Sequence, residues 1–247
     1  MFKKLIIRII AIFIGLFATF TIENGREKND EILLIEGIIQ SLRVDIVDNI
    51  DYSKEHLRQL ENMIYLSKKI LDKFEDLEVK EVYQYHNEAP FLHRFNINGE
   101  IKYIVEDYDS IAFEVFFSVW NSWNPSNIYF KSILNSGTLL KIQNDKLRRE
   151  IESIYTRQEE RMMGLTLILS NHNKRITDWF YQKELLHNSA ITQEEIFIQY
   201  RDYRLKKELK LRLAHLEERV LNLKNYIYSL ENVCYLIDTE DIRQTRP

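Results

Sequence analysis

Apolar residues recur at helical spacing along most of this chain, and the first long run of them covers residues 29–78. Charged side chains such as Lys54 and Glu61 lie off this apolar stripe, as expected for a helix with one buried face. The pattern therefore predicts one long amphipathic helix over residues 29–78. Its apolar positions are Ile32, Ile35, Ile39, Leu42, Ile46, Ile50, Leu57, Leu60, Ile64, Leu71 and Phe74.

The most regular pattern lies near the other end of the chain. Thr192 and Glu195 have the spacing of a capping box, and apolar residues then recur at steps of three and four. This spacing predicts a coiled-coil helix over about residues 193–237 with an apolar seam at 209–237. The seam packs either against the first long helix of the same chain, which we favour, or against a second copy in a homo-oligomer.

Between these long helices the period of the pattern changes. Apolar residues alternate around Asn98 and Gly99, a dipeptide that suits the positive φ angles of a two-residue turn. This segment predicts a small β-hairpin over about residues 94–105. Helical spacing then returns, and it predicts aromatic helices over about 109–136 and a longer helix over about 145–188.

Local signals predict where these central helices begin and end. Asn124 followed by Pro125 is typical of a helix start, and Asn144 is a candidate cap for the helix that follows. Gly137 lies where the aromatic helices should stop, so a left-handed backbone is expected there. The mostly apolar residues 162–169 are too few to span a bilayer, and they predict a buried bundle segment.

The first 28 residues have a different pattern, which predicts a membrane anchor. Lys3, Lys4 and Arg8 accompany an apolar stretch over residues 5–22, about 27 Å long as a helix and close to the thickness of a hydrocarbon core. A cleavable secretory signal is the alternative, but no pair of small residues marks a cleavage site. The positive-inside rule then predicts a cytoplasmic N-terminus and an extracytoplasmic helical domain over residues 29–247.

Composition supports a helical protein. The chain contains only 6 glycines and 3 prolines, which favours long helices over a many-turned sheet. The predicted fold class is mainly α: an N-terminal transmembrane helix, then a long-helix bundle or coiled coil with one β-hairpin insertion. The net charge of −4 argues against a nucleic-acid partner. Cys234 is the single cysteine, which excludes an internal disulfide and a multi-thiolate zinc site.

The search for chemistry yields no catalytic, cofactor-binding or metal-ligating motif. No two histidines flank a glutamate as in a zinc hydrolase helix, and the glycines are too dispersed for a phosphate-binding loop. The sequence therefore predicts no cofactor and no enzyme activity. The aromatic segment beside the Ser-Gly turn is either hydrophobic core, which we favour, or an interaction surface. The candidate interaction residues are Phe116, Phe117, Trp120, Trp123, Ser136 and Gly137.

The segment from Ser136 to Leu147, preceded by an anchor and a long helix, resembles a domain-of-unknown-function family of small membrane-anchored proteins from Gram-negative bacteria. The family pattern reads Ser-Gly-x-Leu-x-x-Ile-x-Asn-x-x-Leu. The matching residues here are Ser136, Gly137, Leu139, Ile142, Asn144 and Leu147. In the family this core leads into a tyrosine-containing helix, to which Tyr155 corresponds here. Glu23-Asn24-Gly25 replaces the family's asparagine-tryptophan pair after the anchor. The resemblance implies a single-pass inner-membrane protein and no particular activity.

Taken together, these features predict a non-catalytic structural or interaction protein that presents a helical bundle on the periplasmic side of the inner membrane. Its expected partners are the lipid bilayer and one or more proteins. The alternative is a ligand-binding or sensory accessory subunit of a membrane complex. Few residues precede the anchor, so a cytoplasmic transmitter would have to be a separate protein.

Overall fold

The computed structural model of this chain is mainly α-helical, as the sequence predicts. It describes residues 2–97, 100–105, 112–119, 122–187 and 190–239. Within these ranges, the side chains of residues 2–22, 24–25, 27–28 and 92–105 lie outside the description. The chain forms two compact units. Unit one contains the described residues of Met1–Val47, Asn127–Ile151 and Val233–Pro247, and unit two those of Asp48–Ser126 and Glu152–Asn232.

The first helix, α1, runs without interruption from Phe2 to Asp72. The predicted helix of residues 29–78 is therefore a part of a longer helix, and it ends at Asp72 rather than at residue 78. Among the residues with described side chains, no helix is long and apolar enough to cross a membrane. The predicted span, residues 5–22, lies outside that set.

A separate helix, α2, occupies Val79–Glu88. The backbone N–H of Glu78 donates to Glu81 Oε2 at 3.1 Å, which stabilises the start of this helix. The boundary between α1 and α2 has no signal in the apolar pattern, because helical apolar spacing continues across it. Phe74 and Leu77, which lie between the end of α1 and the start of α2, are both buried.

Two antiparallel strands occupy the segment for which the sequence predicts a hairpin. They are β1 (Leu92–Ile97) and β2 (Glu100–Val105). Leu92 pairs with Val105 at one end of the register, and Ile97 pairs with Glu100 at the other. The predicted turn at residues 98–99 lies outside the described residues.

The aromatic helices predicted over 109–136 are much shorter in the described part of that segment. Helix α3 covers only Val115–Ser118, and helix α4 covers Ile128–Asn135. The expected helix start at Asn124 is therefore wrong by about one turn. Residues 122–127 have no regular secondary structure.

Side chains of α1 explain why no helix begins at Asn124. Asn49 Nδ2 donates to the carbonyl of Ser126 at 2.6 Å, and Asn49 Oδ1 accepts from the N–H of Ser126 at 2.8 Å. The hydroxyl of Tyr52 accepts from the N–H of Asn124 at 2.9 Å. These bonds satisfy the backbone of an extended segment, so it gains less from becoming helical.

The left-handed conformation predicted for Gly137 is confirmed. Its φ angle is 71°, and it lies directly before the short helix α5, Thr138–Lys141. The N–H of Gly137 donates to the carbonyl of Leu134 at 3.1 Å. The hydroxyls of Ser136 and Thr138 lie 2.7 Å apart across the turn.

The helix predicted over 145–188 is present but interrupted. It begins as α6 (Asp145–Ser153), passes through a π-helical turn (Ile154–Gln158) and continues as α7 (Glu159–Leu185). Asn144 caps its start, as predicted, because its Oδ1 accepts a backbone N–H three residues later at 3.0 Å. The π-helical turn contains no glycine or proline, so the sequence gives no signal for it.

The last predicted helix consists of α8 (Gln193–Tyr200) and α9 (Tyr203–Thr239). The predicted capping box is confirmed: Glu195 N donates to Thr192 Oγ1 at 3.3 Å, and Thr192 N donates to Glu195 Oε2 at 2.9 Å. The break between the two helices is set by Asp202. Its Oδ1 accepts a backbone N–H in the first turn of α9 at 2.9 Å and so caps that helix.

The apolar seam of α9 is covered by the protein's own chain. Leu216, Leu223 and Leu230 are fully buried in unit two. Here α9 lies antiparallel to α1, and exposed ion pairs join the two helices. They are Lys54–Glu231 at 2.7 Å, Glu61–Lys224 at 3.0 Å and Lys68–Glu217 at 2.7 Å. A homo-oligomer through the 209–237 seam would have to displace these contacts.

Unit one has a nearly apolar interior. Its buried side chains come from the middle of α1, from α4 to α6 and from the end of α9: Ile39, Leu42, Ile46, Ile133, Leu147, Ile151 and Leu236. A bidentate ion pair between Arg43 and Asp238, with both contacts at 2.7 Å, joins α1 to α9 within this unit.

Candidate functional site

The candidate interaction residues are distributed over both units. Phe116, Phe117 and Trp123 belong to unit two and are 1%, 1% and 2% exposed. Because buried side chains offer no surface to a partner, these three are hydrophobic core. Trp120 lies outside the described residues. Ser136 is exposed and Gly137 half-buried, and both belong to unit one.

Phe116 and Phe117 belong to an aromatic cluster in unit two. Phe117 packs against Phe180 of α7 and Phe197 of α8, with ring centroids 5.6 and 5.0 Å apart. Trp123 contacts α1 instead, where its Nε1 donates to Ser53 Oγ at 3.2 Å. These contacts tie the irregular segment between the strands and α4 to the helices, which is a structural role.

A polar cluster that no sequence pattern predicts lies between α7 and α9. Glu208 Oε1 accepts from Arg175 Nε at 2.6 Å and also contacts His172 Nδ1. The other ring nitrogen, His172 Nε2, lies 3.1 Å from His215 Nδ1. His172 is 4% exposed. No local motif reveals this cluster because its members come from two helices that are distant in sequence.

Each ring nitrogen of His172 has polar neighbours. Nδ1 contacts Glu208 Oε1 and lies 2.8 Å from Arg175 Nη2. Nε2 faces His215 Nδ1, which also lies 2.9 Å from the carbonyl oxygen of Leu211. Burial lowers the pKa of His172, and the bond to Glu208 opposes that shift only in part. A carboxylate that orients an imidazole is also the base-and-orienter pair of hydrolytic triads. Here the second ring nitrogen of His172 contacts His215 rather than a hydroxyl or thiol.

Metal binding has no support in the described part of the chain. No group of three or more His, Cys, Asp or Glu side chains is arranged there to hold a metal ion. His56 and His86 are also buried, but they lie in separate surroundings. His86 Nε2 accepts from the N–H of Phe91 at 3.1 Å.

Two arginines on α9 are buried in unit two. Arg212 is 2% exposed and donates to three neutral acceptors: Asn173 Oδ1 at 2.6 Å, the carbonyl of Val119 at 2.7 Å and Ser67 Oγ at 3.5 Å. Burial lowers its pKa to about 10, so the guanidinium stays charged at neutral pH. Arg219 is fully buried, and burial lowers its pKa to about 10 as well.

A small polar cleft lies beside the π-helical turn. Its volume is about 160 Å³, and its walls come from α6, the π-helical turn, α7 and α9. Arg157 and Arg161 are exposed at its edge and form no ion pair with any described residue. The residues that line the cleft are Ser153, Arg157, Gln158, Arg161, Asn222 and Asn225. Guanidinium and amide donors suit a small anion.

Helix α7 differs from the expected buried segment. Met162, Leu165 and Leu169 are buried as predicted, but Met163, Leu167 and Ile168 are exposed. The apolar residues of 162–169 therefore lie on both the buried and the exposed side of α7.

Comparison with known proteins finds no match for this chain among protein-family models, curated proteins or solved structures. The resemblance of the Ser-Gly segment to a family of small membrane-anchored proteins stays a prediction.

Proposed function

We propose that this chain is a single-pass, non-catalytic interaction protein of the inner membrane, whose helical bundle lies on the periplasmic side. The observation that carries this proposal is the basic and apolar sequence of residues 3–22, which leads directly into the bundle within helix α1. Basic residues before an apolar stretch retain the N-terminus in the cytoplasm. A helix that continues out of the membrane would hold the bundle close to the bilayer.

The proposed topology is tested with two reporters at the C-terminus. A fusion to alkaline phosphatase should be active and a fusion to green fluorescent protein dark, because the first folds outside the cytoplasm and the second inside. Lys3→Glu combined with Lys4→Glu should lower the phosphatase activity. The reverse reporter pattern would overturn the proposal.

Membrane attachment is tested separately by alkaline extraction of membranes. The full chain should stay in the membrane fraction at its full mass of 29.9 kDa. Deletion of residues 5–22 should release the protein. A shorter mature chain would indicate a cleaved signal, and a full-length chain that is extracted by alkali would argue against an anchor.

The interaction role is tested by cross-linking in intact membranes, then purification in mild detergent and mass spectrometry. We expect a stable protein partner, either a second copy of this chain or another protein. Purification of uncross-linked monomer alone would count against an interaction protein.

A ligand-binding accessory role is the second candidate, and the cleft beside the π-helical turn favours it. Inorganic phosphate is a suitable probe because Arg157 and Arg161 carry no other ion pair among the described residues. Phosphate should raise the melting temperature of the full chain in detergent, and Arg157→Gln with Arg161→Gln should abolish that rise. Arg204→Gln, an exposed arginine outside the cleft, is the matched control.

A further inference from the structure

The π-helical turn brings together side chains that a continuous α-helix would separate. Ser153 and Arg161 are eight residues apart, which corresponds to about 80° around the axis of an α-helix. The turn at Ile154–Gln158 takes up one extra residue. The two side chains therefore have the relation of residues seven apart, which is only about 20°. As a result Ser153, Arg157 and Arg161 line one wall of the cleft.

Helix α9 supplies the opposite wall. Asn222 and Asn225 line it, and their spacing of three residues places them on one face of the helix. Gln158 Nε2 donates to Ser229 Oγ at 2.6 Å, which joins the π-helical turn to α9 next to the cleft. The volume of about 160 Å³ is close to that of a cavity of about 150 Å³ that holds benzene. A tetrahedral oxyanion, which has fewer heavy atoms than benzene, therefore fits.

Most polar groups of the cleft are hydrogen-bond donors that the described part of the chain leaves unused. Arg157 and Arg161 are four residues apart, a spacing at which like charges destabilise a helix, and neither forms an ion pair with a described residue. The hydroxyl of Ser153 and the side-chain amide of Asn225 also have no hydrogen-bond partner among the described residues. This set of donors favours a negatively charged ligand.

Asn222 differs from these groups because it offers an acceptor. Its Nδ2 donates to the backbone carbonyl of Glu218 at 3.0 Å. A carbonyl oxygen can only accept, so this bond fixes which end of the Asn222 amide carries the hydrogens. Asn222 Oδ1 has no partner among the described residues, and it remains as an acceptor on the wall of the cleft. The cleft therefore combines donors for an anion with one acceptor for an O–H group.

We propose that this cleft binds hydrogen phosphate and that Asn222 distinguishes it from sulfate. Both anions are tetrahedral, but hydrogen phosphate keeps an O–H group that can donate to Asn222 Oδ1. Sulfate has no donor at neutral pH and would place an oxygen lone pair against that acceptor. A site that accepts a hydrogen bond from its ligand discriminates against an analogue that lacks the donor. The inference rests on the ligand-binding role proposed above as the second candidate, and it names the ligand and the residue that selects it.

Calorimetric titration of the full chain in mild detergent tests this selectivity. At about pH 8 phosphate is mainly the dianion HPO₄²⁻, so it matches sulfate in charge and differs from it by one proton. The sodium salts of the two anions are compared at equal ionic strength. The dissociation constant of phosphate should be about tenfold lower than that of sulfate.

Substitutions separate selectivity from overall affinity. Asn222→Ala should raise the dissociation constant of phosphate to about that of sulfate, with no change in the melting temperature of the anion-free protein. Asn222→Asp should retain the preference for phosphate, because a carboxylate still accepts the O–H. Arg157→Gln should weaken both anions by a similar factor, because a positive charge does not detect the proton. Asn171→Ala, at an exposed position of α7 outside the cleft, is the matched control and should change neither constant.

Two results would overturn the inference alone: equal affinity for the two anions, or a preference for phosphate that survives Asn222→Ala. Either would leave an anion-binding role in place, provided that Arg157→Gln weakens binding. Failure of both anions to bind would overturn the inference and the second candidate function together. The reporter fusions and the alkaline extraction do not depend on the cleft, so the proposed membrane topology is judged separately.

Discussion

The interiors of the two units differ in polarity. Buried side chains of unit one are apolar except for Asp45 and Thr138. Unit two instead buries a series of polar and charged side chains on α1, α7 and α9: Ser53, His56, Gln59, Ser67, His172, Asn173, Arg212 and Arg219. The same two long helices, α1 and α9, contribute to both interiors, so the difference lies in which residues face inward.

This difference in polarity determines how strictly the helices are aligned in each unit. An apolar interior tolerates small shifts of its helices, because most hydrophobic contacts are non-directional. A buried guanidinium does not, because each of its donors needs an acceptor in a fixed direction. Arg212 finds those acceptors on α1, α7 and the segment after α3. The polar interior therefore fixes the alignment of the helices in unit two.

The largest predicted effect is the loss of Arg212. Arg212→Ala should lower the free energy of unfolding by about 3–5 kcal/mol, because it creates a cavity and leaves Asn173 Oδ1 and the carbonyl of Val119 without a donor. Chemical denaturation followed by circular dichroism measures this change.

A matched variant separates volume from hydrogen bonding. Arg212→Met keeps the apolar stem and removes the charge, so it should cost about half as much as Arg212→Ala. Equal losses for the two variants would show that the hydrogen bonds alone determine the effect. No loss for either would contradict a specifying role of the polar interior.

The second prediction concerns pH and His56. Burial, together with the nearby charge of Arg219, lowers the pKa of His56 to about 3. Because this value lies below the unfolded value of 6.5, the unfolded state binds the proton more tightly, and stability falls as the pH drops from about 6.5 towards 3. At pH 5 the loss from His56 should be about 2 kcal/mol.

The contribution of His56 is isolated by comparing pH profiles. His56→Gln cannot take up this proton, so its stability should fall less steeply between pH 7 and pH 5 than that of the unaltered chain. Other titrating groups, including His172, are present in both proteins and cancel in the comparison. Parallel profiles would mean that His56 is already protonated or solvated in the folded state.

Sequence patterns predict most of the helical segments, but they predict neither the helix breaks nor the polar interior. Ile39, Leu42 and Ile46 follow the predicted stripe and are buried. Further along α1 the predicted positions Leu57 and Ile64 are only half-buried, whereas inward positions hold polar residues. Such residues look like surface positions in a sequence, because the partners that satisfy them are far away along the chain.

The candidate site is likewise only partly predictable from the sequence. Phe116 and Phe117 were visible in the sequence as an aromatic group, yet only packing decides between core and surface. His172, Glu208 and His215 share no local spacing, and they meet because α7 and α9 pack together. Helix breaks were missed where a side chain sets them, as at Asp202.

The third prediction concerns unit one and the left-handed backbone of Gly137. Gly137 has a φ of 71°, and a Cβ atom at this position would meet nothing within 4 Å. The cost of a side chain is therefore conformational alone. Gly137→Ala should lower the free energy of unfolding by about 1 kcal/mol, and Gly137→Val should lower it by about 1–3 kcal/mol. Gly137→Asn, which tolerates this region, should cost least, and equal values for all three would contradict the assignment.

The smallest predicted effect is at the surface of unit two, and it sharpens the contrast with its interior. Lys68 and Glu217 are 2.7 Å apart, but their side chains are 53% and 47% exposed. Water already solvates both charges, so Lys68→Ala should change the free energy of unfolding by less than about 0.5 kcal/mol. The change should vanish in about 1 M salt, where the Debye length is about 3 Å. A loss comparable to that of Arg212→Ala would mean that the surface ion pairs between α1 and α9, rather than the buried arginines, hold these helices together.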